Sequence, residues 1–144
     1  MQVALAIAPR ELSAVRAARL RVRVRGCAHT APAPTGTFTL RAADNTWRPL
    51  AVGVDIKLLS RDAARGRMTA FIRMQAGATF DAHDHPQTEE CLVVEGVIRI
   101  GTHELGRGDL HVAGQGTRHA LTWSPEGALL LVHAALPPTN CARY

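Results

Sequence analysis

Residues 77–96 read GATFDAHDHPQTEECLVVEG: His83 and His85 stand one residue apart, Glu89 follows after three more, and Gly77 and Gly96 frame the block. In an extended strand, side chains alternate faces at about 3.3 Å per residue, so His83 and His85 project from one side, close enough to share an ion. Glu89 follows after a short bend. A second block, GRGDLHVAGQGTRHAL (106–121), carries Gly108, Gly114 and Gly116 and then His119, which must arrive from a distant strand. Three neutral imidazoles and one carboxylate form a ligand set for a divalent transition metal, with solvent or substrate completing the shell. The spacing therefore predicts a mononuclear metal site, built from His83, His85, Glu89 and His119, inside a β-barrel. Glu90 competes for the carboxylate role, but strand alternation and the six-residue distance to Gly96 favour Glu89.

The surrounding sequence predicts an all-β fold. Short apolar runs recur at 37–40, 52–59, 67–74, 90–94, 97–100, 109–112, 119–122 and 128–133, with glycines punctuating them. Regular short strands between glycine turns indicate a sandwich or barrel. Before them lies a different kind of sequence. Pro9 is placed to start a helix, residues 20–25 alternate as a strand would, and 26–36 (GCAHTAPAPTG) is a linker. Three segments are expected: a basic helical or extended arm with its linker (1–36), the β domain (37–136), and a loose tail (137–144).

The chain has 144 residues, 47% of them hydrophobic, enough to bury one domain's core. No apolar run approaches the roughly 18 residues needed to span a bilayer. The start, MQVALAIAPR, has no basic residue ahead of its apolar stretch, which argues against a secretory signal. Cys27, Cys91 and Cys141 are odd in number and widely spaced; they argue against a disulfide framework and for a reducing, cytoplasmic setting. Residues 1–30 hold six arginines and one acid, so the net charge of +5 resides in the arm and the body is neutral. An arm of that charge suits an acidic protein surface. It lacks the interleaved aromatics and reading motifs that would favour nucleic acid. Sixteen arginines against one lysine fit a GC-rich bacterial genome.

Both glycine-framed blocks resemble the two motifs of the cupin superfamily, with departures at Gly114 and Trp123 that touch no metal ligand. Within it the chain is most similar to ChrR-type cupin domains, the C-terminal halves of certain zinc-dependent anti-sigma factors. The stretches carrying that likeness are TWRPLAVGVDIKLLSRD (46–62), FIRMQAGATF (71–80), HDHPQTEECLVVEG (83–96) and residues 106–121. The resemblance implies a double-stranded β-helix, a jelly-roll barrel, and it implies zinc. Ligand chemistry alone also admits iron, manganese, nickel or copper. Such anti-sigma factors bind their sigma factor through an N-terminal zinc domain with a CxxC motif, and no CxxC occurs here. The expectation is a sensor half alone or a free-standing relative.

Two functions follow. One is a regulatory module whose metal site responds to an oxidant or small molecule and alters docking of the arm on a protein partner. The other is a small metalloenzyme, dioxygenase-like, acting on a small dicarbonyl or carboxylic acid; no catalytic residue is singled out for it. A homodimer is the default assembly. Cys91 shares strand parity with Glu89, so it is expected inside the barrel as a small core residue, with a redox or sulfur-donor role as the sharper reading. His103, His111 and His133 are expected at the surface or hydrogen-bonded. Arg73 and Arg99 are candidates to reach a substrate carboxylate, and Trp47 and Trp123 are expected to pack at the rim.

Overall fold

The computed structural model describes residues 36–137. Apart from Gly36, the predicted arm lies outside the described residues, as do Cys27, Cys141 and the tail beyond Pro137. A 3-10 turn at Ala42–Asp44 precedes eleven strands: β1 (Arg48–Ala51), β2 (Val54–Asp62), β3 (Arg67–Met74), β4 (Thr79–Phe80), β5 (His83–Asp84), β6 (Glu89–Ile100), β7 (His103–Gly106), β8 (Leu110–Ala113), β9 (Arg118–His119), β10 (Thr122–Trp123) and β11 (Ala128–Ala135). All pairings are antiparallel. The all-β jelly-roll barrel expected from the sequence is the fold observed. The run at 37–40 is not a strand, however, and 90–94 and 97–100 are one continuous strand, β6, rather than two.

Strand β6 is what closes the barrel. Its first half lies between β11 and β8, in a sheet that runs β1-β2-β3-β11-β6-β8. Its second half pairs with β7 on one edge and β10 on the other, and β10 continues to β4. One strand can serve two sheets because its register shifts against β11 between Leu129 and Leu130, opposite Glu95 and Val93. A bulge of this kind bends a strand and increases its twist. Gly96 follows immediately, with φ +77, and a Cβ there would stand 2.0 Å from the Gly127 carbonyl oxygen. That close approach explains the glycine that ends the first motif.

Alternation supplies the core. Along β11, Ala128, Leu130, Val132 and Ala134 are buried and their neighbours only partly so. They meet Val54 and Met74 from β2 and β3 and Cys91, Val93, Ile98 and Ile100 from β6. The inner faces of both sheets thus share one apolar interior, and the short strands β5 and β9 sit beside it as a separate two-stranded pair.

Candidate metal centre

His83 and His119 are cross-strand partners in the β5–β9 ladder, and Asp84 pairs with Arg118. The ladder continues past β5: the His85 N–H donates to the Thr117 carbonyl, 2.9 Å, and the Gly116 N–H donates to the His85 carbonyl, 2.8 Å. The turn before β9 is closed by Thr117, whose backbone N–H and hydroxyl both donate to the Gly114 carbonyl. Gly116 takes φ +79, a conformation that a residue with a Cβ adopts at a cost. The glycines of the second motif therefore aim His119 back at His83.

The three imidazoles converge. His83, His85 and His119 each offer a ligand nitrogen, and these atoms lie within 4.8 Å of one another. Ring centroids are 4.8 Å apart for His83 and His85, 5.1 Å for His83 and His119, and 5.2 Å for His85 and His119. His83 Nδ1 donates to the Asp81 carbonyl, 2.9 Å, and His119 Nδ1 to the Ala120 carbonyl, 2.9 Å. A carbonyl can only accept, so in the neutral form both rings carry their proton on Nδ1 and keep a lone pair on Nε2. This is the outer-shell arrangement that orients metal-binding histidines. His85 is 3% exposed, and its Nε2 is buried without a hydrogen-bond partner. A buried polar atom left unpaired is costly, and a bound ion would satisfy it.

Burial, reinforced by neighbouring imidazoles, lowers the pKa of His85 and His119 below the ordinary 6.5. For His119 the hydrogen bond to the Ala120 carbonyl works partly against this shift. The lone pairs are thus free near neutral pH, as metal binding requires. The three histidines can hold a metal ion.

Glu89 lies beside this trio rather than within it. Its Oε2 is 3.9 Å from His85 Nδ1, and burial raises its pKa above 4.5 against the pull of His83 and Arg67. Glu89 lines the cavity, whereas Glu90 is exposed. Cys91 also lines the cavity, 5% exposed, as a small core residue. Burial, with the Glu89 carboxylate adding to it, pushes its thiol up to about 12, and the thiolate that oxidants attack is then scarce at neutral pH.

The cavity occupies about 380 Å³ and extends from the histidines into the apolar interior. Arg73 and Arg99 do not line it. Arg73 pairs with Asp55 at 2.8 Å and lies over the Trp47 ring, while Arg99 pairs with Glu104 and lies over Trp123. His133 is hydrogen-bonded, as expected, between Arg67 and Thr69. His111 departs from expectation in one respect: it is half-buried, with its ring edge-on to His119 at 5.2 Å. Its place across from Cys91 in the β6–β8 pairing brings it there, and that register is invisible before the strands are paired.

Sequence reasoning missed Arg67. Its Nη1 donates to the Thr88 carbonyl at 2.6 Å and to Gln87 Oε1 at 3.4 Å, and its Nε donates to His133 Nε2 at 3.2 Å. One guanidinium thus ties the segment between His85 and Glu89 to β11. A single arginine at the start of a strand gives no local sign of such a role.

The model of the ChrR cupin-like domain matches residues 35–137, most of the chain. The chain belongs to that family. Members of the wider cupin fold among solved structures superpose on it. An RmlC-like cupin from Ralstonia eutropha is 25% identical, with a TM-score of 0.64 over 69% of each chain. A chain of the Rhodobacter sphaeroides complex between SigE and the anti-sigma ChrR is 21% identical, with a TM-score of 0.57 over 83% of this chain and 79% of that one. Acetylacetone dioxygenase from Acinetobacter johnsonii is 15% identical, with a TM-score of 0.60 over 74% and 78%. The last two likenesses, at 21% and 15% identity, speak for the fold alone. Comparison with curated proteins gave no match. Among the described residues, no helix is long and apolar enough to cross a membrane.

Proposed function

We propose that this ChrR-type cupin is a regulatory metal-binding module. His83, His85 and His119 hold one divalent ion, zinc in this reading, and Glu89 turns inward to complete the set. The observation that carries it is the convergence of three imidazoles, His85 and His119 buried and His83 half-buried: two of the tautomers are fixed by backbone carbonyls, and the unpaired Nε2 of His85 lies among them. The ion supplies a Lewis-acidic position that a small molecule can occupy. The chain's own residues hold that position at the head of the cavity. Because Cys91 is buried and its thiol held protonated, the signal in this reading is ligand exchange at the ion rather than thiol oxidation. The basic arm, residues 1–36, docks on an acidic protein partner, and the module acts in the cytoplasm as a homodimer.

The test is elemental analysis of protein purified without a metal-affinity tag, beside His119→Ala. Stoichiometric zinc lost in the variant supports the reading, and its absence from both refutes it. A protein partner whose binding changes with the metal or ligand state is the second requirement; none in any state removes the regulatory role.

The preformed cavity beside the histidines favours one other reading, a small dioxygenase-like metalloenzyme. Redox metal in the purified protein, with oxygen uptake on a panel of small dicarbonyls and acids, would move the assignment there.

A further inference from the structure

We propose that the cavity takes a small molecule with one oxygen-bearing head, turned to the histidines, and a slender, uncharged, apolar tail. The head's contact rests on the metal reading above; the tail's does not. Walls of the cavity come from strands on both sheets: Ile56, Ile72, Phe80, Ile98, Ile100 and Leu130 among them. About 380 Å³ is within the range of small-ligand sites and holds roughly a dozen waters' worth of volume. Polar groups gather around the trio, with Gln87 and Thr122, while the β2, β3 and β11 walls offer methyl and methylene groups.

Charge decides the class. Among the described residues lining the cavity there is no lysine or arginine, and the only carboxylates are Asp84 and Glu89. The arginines beside it are engaged by other partners: Arg67 by Thr88 and His133, Arg73 by Asp55, Arg99 by Glu104, and Arg118, next to His119 in sequence, by the carboxylate of Asp84. Among the described residues, a carboxylate or phosphate at the apolar end would therefore be buried with no counter-charge, at a cost that none of their contacts offsets. An ammonium there would find only sulfur and hydrocarbon. A neutral tail meets no such penalty.

Two probe series test this. The first is the straight-chain 1-alkanols, butanol to octanol, titrated into the metal-free full chain and followed by the methyl NMR signals of isoleucine and leucine. The second is alkanehydroxamic acids of two to eight carbons, with and without a terminal carboxylate, titrated into zinc-loaded protein by calorimetry. Affinity is expected to rise about fourfold per added methylene until the cavity is full. Shifts should concentrate at Ile72, Ile98 and Leu130. The terminal carboxylate should weaken binding by at least about tenfold. Ile72→Phe, which narrows the cavity, should move the optimum to a shorter chain.

Affinity indifferent to alkanol length, or shifts confined to residues outside the barrel, would overturn the proposal, as would a carboxylate-ended chain binding as tightly as its methyl-ended counterpart. Hydroxamates that fail to bind while the alkanols keep their length dependence would refute the metal reading and leave the cavity assignment standing.

Discussion

His83 and His119, 36 positions apart in sequence, face each other across the β5–β9 ladder with ring centroids 5.1 Å apart and 24° between their planes. Each ring donates its Nδ1 proton to a backbone carbonyl close by in its own segment. Orientation and tautomer are thus set by the backbone, before any ion arrives. A site fixed in this way loses little conformational freedom on binding, which favours affinity.

Removing one member should abolish the site. At a free metal concentration about a hundredfold above Kd, an ion that binds only the folded state stabilises it by about 2.7 kcal/mol. For a domain of this size that is upwards of about 10 °C in Tm. Wild-type protein should show this gain in calorimetry, and His85→Ala and His119→Ala should show none. A variant that stays metal-loaded and equally stabilised would refute the assignment.

Metal-free protein should lose stability as pH falls. His85 and His119 have folded-state pKa values below 6.5, so the unfolded chain binds more protons in the window beneath that value. Stability then rises with pH through the window and is fully present above about 6.5. Glu89, whose pKa is raised by burial, acts in the opposite sense from 4.5 upward. Urea midpoints at pH 8 and pH 5.5, measured in a Glu89→Gln background to remove that opposition, should differ in favour of pH 8. Adding His85→Gln should shrink the difference.

Arg67→Gln should weaken metal binding by less than the roughly tenfold that loss of a direct partner of a ligand costs, because Arg67 touches no candidate ligand and acts only by anchoring the segment between His85 and Glu89. It releases the Thr88 carbonyl and His133 together. Lysine should restore little, because a single ammonium cannot span both acceptors as a planar guanidinium does. Competition against a chelator of known affinity gives the number. Unchanged affinity in both variants would reduce Arg67 to a packing role.

Gly96→Ala should cost more than about 3 kcal/mol, since it combines an unfavourable φ with overlap against a backbone oxygen that cannot move aside. Gly116→Ala, also at positive φ but with open space around it, should cost only about 1–2 kcal/mol. Denaturant unfolding of both variants checks the contrast.

Cys91 should resist alkylation at pH 8 in the native state and react once the chain is unfolded, because burial and Glu89 hold its thiol at about 12. Mass spectrometric mapping of labelled cysteines separates it from Cys27 and Cys141. Rapid native labelling at Cys91 would restore a redox role to it.

The sequence by itself determined what depends on near neighbours. Two-residue periodicity put His83 and His85 on one face and set Cys91 on the inner side of β6, because pleating is fixed by local sterics. Gly96 and Gly116 were legible as turn or close-approach positions, since few residues tolerate their φ. The barrel followed from the rhythm of strands and glycines, and the four candidate ligands from their spacing within it. Other features needed chains of contact between residues far apart. Only the pairing of β5 with β9 decided that His119 meets His83, and only the β6–β8 register brought His111 against its ring. The continuity of β6 through Gly96 was hidden because a bulge compensates for a glycine that, read locally, ends a strand. Arg73 and Arg99 were ambiguous for the same reason: a charged residue on a strand faces outward or inward according to the sheet's closure. The cavity, lined from β1 to β11 with no lysine or arginine among its described lining residues, is wholly a product of tertiary packing, because its walls adjoin only once both sheets have folded over one core.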